Sequence, residues 1–291
     1  MSVKEWGFKR VPCEWCVYHH TTPTGTIAFA VHVDDIISIV SSPDENNRFK
    51  ADLNVKWKIS DLGEAKFTLG IAMTRDRPER SISLSQTALI DCIILNYGQT
   101  DTHPVNTPMV AGLHLTRPDK SAPVPSSVTT WIEWTPYRSL IGSLNYLAVG
   151  TRPDIVYTVG RLASFLDCYR TEHWEAAVCV IRYLKGMHNL CLKLGGQNPI
   201  SLLGYSDSDY ANCLDTSLSV GGYCFMLGSG VISWASRKQK SVADSSCYAE
   251  YIALHQASHE VVFLRELLSS LLPPPPHHPP LSSATTMPLP S

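Results

Sequence analysis

Two adjacent acids, Asp34 and Asp35, interrupt the apolar stretch at residues 26–40. The flanking runs contain β-branched and aromatic residues and no Gly or Pro, which is typical of short, mostly buried strands. Two carboxylates buried between such strands are costly unless a cation compensates their charge. A divalent metal ion with oxygen ligands would do so. The alternative is an ordinary hairpin turn, because Asp is a favoured turn residue.

A second acidic set combines Asp207 and Asp209, at the end of a predicted strand, with Glu250 on a predicted helix. Glu250 falls on the apolar stripe of that helix, one turn before Ala253, so we expect its carboxylate to face the sheet. A strand acid that faces a helix glutamate is typical of a divalent-metal site. The alternative is a partly exposed glutamate in the first helical turn, where the helix dipole favours it.

A basic stretch follows a predicted hairpin that contains Trp234. Its three cations, Arg237, Lys238 and Lys240, have the charge to contact the phosphates of a nucleic acid. The alternative is a solvated loop. The net charge of −2 provides no global basic field, so any nucleic-acid binding depends on local patches of this kind.

Cys13, Cys16, His19 and His20 are residue types that bind zinc. Structural zinc sites usually draw their ligands from two separated pairs, whereas these four lie within eight residues. A strand is predicted at residues 15–18, and a strand directs neighbouring side chains to opposite faces. Packing cysteines are the favoured interpretation and zinc is the alternative.

The composition, with 44% hydrophobic and 17% charged residues, is that of a globular protein. Nine scattered cysteines do not indicate a disulfide framework and favour a reducing, intracellular setting, either cytoplasm or nucleus. The N-terminus lacks an apolar signal core, and no run of about 18 apolar residues predicts a membrane span. No membrane partner is expected.

The elements that must position these groups alternate between strand and helix, which indicates a mixed α/β or α+β fold. A helix is expected to begin at Pro43, with Ser42 as its cap and Glu45 closing a capping box. Two strands and a second helix are then predicted at 65–74, 82–84 and 85–97.

The chain changes character at residues 101–136, whose prolines and polar residues predict a linker. Three helical patterns follow, at 137–149, 153–166 and 172–185. Short strands are predicted from residue 190 onward, and a long helix at about 246–271. The proline-rich tail cannot build a core and is predicted to be disordered or polyproline.

Nine stretches, in chain order, resemble one known family. They are Val31–Ile36, Ser60–Gly70, Leu84–Gln86, Tyr137–Leu147, Thr151–Ile155, Ala176–Gly186, Gly204–Ala211, Ser233–Lys240 and Ala249–Ala253. The series resembles the Pol polyprotein of copia-type LTR retrotransposons, from the last part of reverse transcriptase into RNase H. It covers nearly everything from about Trp6 to Leu271.

The resemblance implies an α+β fold with a partial polymerase palm, a helical connection and a truncated RNase H-like sheet with its helix. Four parts are expected along the chain. They are the partial palm with the following helix region at 1–115, the Pro-rich linker and helical connection at 116–195, the truncated RNase H-like domain at 196–272 and the disordered tail at 273–291.

The resemblance also implies roles for the acids. Asp34 and Asp35 would hold catalytic Mg²⁺ at the primer end during RNA-directed DNA polymerisation. Asp207 and Glu250 would be the first two carboxylates of the RNase H site, where paired Mg²⁺ ions act on the scissile phosphate. The implied partners are an RNA template, an RNA·DNA hybrid and other parts of the Pol polyprotein.

Both sites are expected to be catalytically incomplete as written. In this family the polymerase uses a third carboxylate from an earlier palm strand, and RNase H uses two further acids beyond the glutamate helix. Neither set is present, and no Asp or Glu follows Glu266. The alternative function is that of a non-catalytic, nucleic-acid-binding or structural remnant.

Overall fold

The computed structural model describes residues 6–23, 25–118 and 135–272. These residues form eleven strands in three antiparallel sheets and six α-helices, so the predicted α+β class is confirmed. They divide into two compact units, one of residues up to Ala65 and from Ser258, the other of Lys66–Ala257. The tail at 273–291 and residues 119–134 of the predicted linker lie outside the described residues.

The first unit is built on a four-stranded sheet in the order β1-β2-β3-β4. The strands are β1 (Lys9–Arg10), β2 (Val17–Thr22), β3 (Gly25–His32) and β4 (Asp35–Val40). Helix α1 (Pro43–Trp57) covers one face, and its Phe49 and Leu53 pack against Ile27 and Phe29 of β3. Ile27 and Phe29 share a face because side chains alternate along a strand.

The predicted capping box at α1 is wrong. Ser42 occupies the N-cap position and Pro43 the first turn, but the Ser42 side chain makes no capping hydrogen bond. Glu45 is buried, and its carboxylate accepts a hydrogen bond from the Thr22 hydroxyl on β2. Glu45 therefore makes a tertiary hydrogen bond in place of the local capping bond that the sequence pattern predicted.

The second unit contains two sheets. One has the order β5-β6-β7-β8 and the other β11-β10-β9. Their strands are β5 (Phe67–Thr68), β6 (Ile71–Asp76), β7 (Ser81–Ser85), β8 (Leu192–Gly195), β9 (Leu202–Asp209), β10 (Val220–Leu227) and β11 (Gly230–Lys238). The single strand predicted at 65–74 is broken at Leu69, whose φ of 52° opens a turn between β5 and β6.

Four helices pack into the largest hydrophobic core of the described residues. They are α2 (Thr87–Asn96), α3 (Tyr137–Gly150), α4 (Val156–Ala163) and α5 (Thr171–Gly186). The helix predicted at 153–166 is shorter, because Pro153–Ile155 forms a 3₁₀ turn and α4 ends at Ala163. Arg152 is 1% exposed, and its guanidinium lies 2.7 Å from the Asp154 carboxylate, which compensates the buried charge.

The β9–β11 sheet is anchored to these helices. Trp234 on β11 donates its indole N–H to the Ala148 carbonyl of α3 at 2.8 Å. Helix α6 runs from Ser246 to Leu271, and its first half, which belongs to this unit, buries Ala249, Ala253 and Ala257. These contacts fix β9, β11 and the first turns of α6, which carry most of the candidate site residues. Within the described ranges, every helix is too short or too polar to span a lipid bilayer.

Candidate metal and nucleic-acid sites

Asp34 and Asp35 lie at the tip of the β3–β4 hairpin. His32 pairs with Asp35, so Val33 and Asp34 form a two-residue turn. Both carboxylates are exposed, and the expectation that they are buried between the strands is wrong. The reason is geometric, because Asp34 lies in the turn and Asp35 is the first residue of β4, at the end of the sheet. An exposed pair is accessible to a metal ion or a phosphate.

Val33 adopts a left-handed conformation in this turn, with φ of 52°. A β-branched residue rarely does so, because its Cβ substituents crowd the backbone. Val33 is 83% exposed, so side-chain burial does not compensate for the strain. Local strain of about 1–3 kcal/mol of this kind clusters at functional sites.

Asp207 and Glu250 come together at the junction of β9 and α6. Partial desolvation of the Glu250 carboxyl raises its pKa above the ordinary value, and the nearby Asp207 carboxylate raises it further. The Ser208 backbone N–H lies against Glu250 and has the opposite effect on this pKa. Ser208 also donates its backbone N–H to Asp207 Oδ1 at 2.9 Å. Two carboxyl groups are therefore held within hydrogen-bonding reach of each other, with the Ser208 N–H beside them.

The placement of Glu250 differs from the prediction in one respect. Its side chain is exposed, whereas the buried stripe of α6 passes through Ala249 and Ala253. Glu250 lies at the border of that stripe, from which it reaches Asp207 without entering the core. Asp209, two residues along β9, instead accepts a hydrogen bond from the Asn212 amide.

Each acidic site is a pair in the described part of the chain. No three His, Cys, Asp or Glu side chains among those residues lie together as a metal-binding group. The four zinc-type residues near the N-terminus form no such group either, and His20 Nδ1 lies 3.0 Å from the Gly7 carbonyl oxygen. Carboxylate pairs of this kind suit a hard divalent cation such as Mg²⁺, which also keeps water and phosphate ligands.

The predicted basic stretch is divided between two faces. Arg237 and Lys238 are the last residues of β11, so they belong to a strand and not to the solvated loop considered above. Because side chains alternate along a strand, these two point to opposite faces. Gln239 is 1% exposed and donates its amide to the Ala249 carbonyl at 2.9 Å. Lys240 is exposed after the strand. The three cations therefore do not form one patch.

Sequence reasoning missed a cationic cluster around Cys213. The Thr216 hydroxyl lies 3.1 Å from the Cys213 sulfur, which is 1% exposed. Burial raises the pKa of this thiol, but hydrogen bonds from Lys238, Thr216 and Arg161 outweigh that effect and lower the pKa to about 6. No local pattern could reveal this cluster, because Arg161, Cys213 and Lys238 come from separate segments.

Comparison with known proteins gives a consistent picture. Residues 1–111 match the family described as reverse transcriptase (RNA-dependent DNA polymerase). The chain is 36% identical over 257 residues to the retrovirus-related Pol polyprotein from transposon TNT 1-94 of Nicotiana tabacum, covering 88% of this chain and 19% of that protein. It is also 36% identical over 247 residues to the Pol polyprotein from transposon RE1 of Arabidopsis thaliana, covering 83% and 16%.

A shorter relative matches along most of its length. The putative transposon Ty5-1 protein of Saccharomyces cerevisiae is 31% identical over 262 residues, which is 89% of this chain and 82% of that protein. The chain thus spans less than a fifth of the Pol polyproteins that it resembles. No solved structure matches the chain significantly. The reverse transcriptase match includes Asp34 and Asp35 and ends before Asp207 and Glu250.

Proposed function

Since this chain belongs to the reverse transcriptase family of copia-type retrotransposon Pol polyproteins, we propose that it is the segment of such a protein where reverse transcriptase continues into RNase H. Its substrates are an RNA template with a DNA primer, and an RNA·DNA hybrid. Both reactions transfer a phosphoryl group and use carboxylate-bound divalent metal ions.

The Asp207–Glu250 contact carries this proposal. Two carboxylates that repel each other persist in a fold only where the surroundings hold them, and a divalent cation between them removes the repulsion. Mg²⁺, when bound, neutralises phosphate charge and lowers the pKa of a bound water. The chain would contribute the two oxygen ligands, and the Ser208 N–H, which donates to Asp207 Oδ1, lies beside both carboxyl groups.

The hairpin acids have the corresponding role in polymerisation. Asp34 and Asp35 are exposed at a turn whose backbone is fixed by antiparallel pairing on both sides. Such a turn presents two carboxylates to a primer end and an incoming nucleotide without rearrangement. Preorganised charge of this kind is the main source of rate enhancement in phosphoryl transfer.

Each pair is a partial metal site. Within the described residues no third carboxylate joins either pair, so we propose that further ligands come from other parts of the Pol polyprotein. Loss of one preorganised electrostatic group costs about 10²–10³ in turnover. The isolated chain is therefore expected to be a very poor catalyst.

Two assays test these roles. The purified chain is expected to show neither Mg²⁺-dependent primer extension nor hybrid cleavage above background. If the chain does extend a primer, and Asp34→Asn abolishes that extension, the polymerase site is complete and this expectation is wrong. In a longer Pol protein that contains this chain, Asp34→Asn should abolish extension and spare hybrid cleavage, while Asp207→Asn should do the reverse. If neither substitution affects its own reaction, the assigned roles are wrong.

A second candidate is a non-catalytic nucleic-acid-binding protein. The exposed cations Arg237, Lys238 and Lys240, together with the absence of a third acid among the described residues, favour it. It predicts salt-dependent binding of an RNA·DNA hybrid that survives Asp207→Asn and weakens when the three cations are neutralised. Negligible binding by every variant would remove this candidate.

A further inference from the structure

A groove runs between helix α4 and strand β11 in the second unit. It is lined by the cations Arg161 and Lys238 and by three hydroxyl-bearing residues, Tyr157, Ser164 and Ser236. The groove is shallow, with a volume of about 40 Å³. It continues past Arg161 and Tyr157 into a cavity of about 220 Å³ beside the 109–115 segment. None of these lining residues belongs to either acidic pair.

The two cations have no carboxylate partner among the described residues. Neither Arg161 nor Lys238 takes part in an ion pair there, and Arg161 makes only a long contact of 3.5 Å to the Leu115 carbonyl oxygen. Both instead reach the sulfur of Cys213. The Asp209 carboxylate lies close to Tyr157 of the groove and accepts a hydrogen bond from Asn212.

The two groove cations carry more charge than the thiol that they both contact. With a pKa of about 6, the Cys213 thiol carries one negative charge at neutral pH, against the two positive charges of Arg161 and Lys238. These three groups together carry one net positive charge, and the Asp209 carboxylate near Tyr157 accepts its hydrogen bond from Asn212. A single-charged oxyanion is the ligand that this combination favours, because guanidinium and ammonium groups donate charge-assisted hydrogen bonds to its oxygens.

We propose that this groove binds one backbone phosphate of a nucleic acid through Arg161 and Lys238. The inference rests on the proposed function, since an RNA·DNA hybrid provides the phosphodiester. It also changes the predicted basic site, because Lys238 acts with Arg161 of α4 and not with Arg237, which lies on the opposite face of β11. Tyr157 and Ser236 add hydroxyl groups at the groove wall, while the Ser164 hydroxyl donates to the Arg161 carbonyl at 2.6 Å.

Hybrid binding measured by fluorescence anisotropy over a salt series tests the groove. Arg161→Gln with Lys238→Gln should weaken binding at least tenfold and lower the salt slope by about 1, as expected for the loss of one phosphate contact. Arg75→Gln with Lys193→Gln is the matched control, because it removes the same two charges from exposed strand positions outside the groove. That control should leave the slope nearly unchanged.

Two further variants separate charge from folding. Arg161→Lys with Lys238→Arg retains both charges and should bind like the wild type. Ser164→Glu places a carboxylate in the groove wall and should compete with the phosphate, even though both cations remain. Thermal unfolding of each variant identifies any loss of fold. If the charge-retaining variant fails to bind while folded, or Ser164→Glu binds normally, the proposal is overturned.

Phosphorus NMR with inorganic phosphate distinguishes the two sources of the anion. If hybrid and inorganic phosphate both depend on Arg161 and Lys238, the proposal is supported. If only the binding of inorganic phosphate depends on Arg161 and Lys238, the groove binds a free anion and the assignment to nucleic acid is wrong. If the hybrid binds wild type and groove variant equally, this inference fails while the proposed function stands. If wild type binds no hybrid at all, both fail.

Discussion

The carboxyl of Glu250, in the first turns of α6, faces the carboxylate of Asp207 on β9. Partial desolvation and the charge of Asp207 both raise the pKa of Glu250, although the Ser208 N–H lowers it. Strand β9 is an edge strand among the described residues, so the pair lies where a nucleic-acid substrate can approach it. A like-charge contact kept at such a position favours metal binding over structural stabilisation.

Glu250→Gln should stabilise the metal-free protein at neutral pH. The pKa of Glu250 is raised in the folded state, so its contribution to stability is present below the ordinary value of 4.5 and is lost as pH rises through the folded pKa. The free energy of unfolding, measured by urea denaturation with a chelator present, should therefore favour the variant increasingly as pH rises. Glu175→Gln, an exposed glutamate on α5, is the matched control. Equal pH dependence of wild type and Glu250→Gln would contradict the repulsion.

Val33→Asn should raise the free energy of unfolding by about 1 kcal/mol, because asparagine tolerates the left-handed conformation that valine resists. The side chain is 83% exposed, so little packing is lost. Val33→Thr keeps the β-branched side chain and should leave stability unchanged. Urea denaturation compares the three proteins, and equal stability of the Asn and Thr variants would argue against strain at Val33.

The Cys213 thiol should ionise about three pH units below its ordinary value of 9.0, since its pKa is lowered to about 6. The difference in ultraviolet thiolate absorbance between wild type and Cys213→Ser follows this titration. The ionised Cys213 thiolate contributes its full stabilisation of the fold above pH 9.0, and this stabilisation is lost as pH falls through about 6. Replacing Lys238 by Gln should move the transition upward. A thiol titration near pH 9.0 in the wild type would show that Arg161 and Lys238 do not stabilise the Cys213 thiolate.

His173 should make the protein sensitive to acid. The imidazole ring is fully buried, and this burial lowers its pKa. The charge of Glu172 raises the pKa but offsets only part of the effect of burial. Its neutral form is favoured in the folded state, so stability is full above the ordinary value of 6.5 and falls as pH drops below it. His173→Gln should remove this pH-dependent loss, as measured by denaturation at two pH values. An unchanged loss in the variant would show that another group is responsible.

His188 provides a contrast of opposite sign. Hydrogen bonds with Asn189 and Asp91 raise its pKa, although partial burial opposes them. Its contribution to stability is present below 6.5 and is lost as pH rises through the folded pKa. His188→Gln should therefore reduce stability in acid, by less than about 1 kcal/mol because the pair is partly exposed, and have little effect above neutrality.

Local periodicity was sufficient to predict much of the fold. The apolar runs around Asp34 and Asp35 form β3 and β4, and the amphipathic pattern at 172–185 corresponds to α5. These predictions succeed because strand alternation and helical spacing are short-range properties of the chain. The same properties predicted strands that meet at the two acids and a helix that carries Glu250.

Long-range contacts explain what periodicity could not predict. Glu45 was assigned to a local capping box, but it bonds to Thr22 on β2. Burial of Asp34 was inferred from its apolar neighbours, but the turn geometry exposes it. The Arg161–Cys213–Lys238 cluster joins three segments that are separated in the sequence, so it becomes visible only once α4 packs against β11.

Direct counting of bound divalent cations tests the central claim that the acidic pairs are metal sites. Mn²⁺ binding followed by electron paramagnetic resonance should detect a site in the wild type that Asp207→Asn with Glu250→Gln removes, and Asp34→Asn with Asp35→Asn should remove a different one. Asp76→Asn with Glu79→Gln, on the exposed β6–β7 turn, should change neither. If the double variants bind as many Mn²⁺ ions as the wild type, with the same affinity, the acids do not form the metal sites proposed for them.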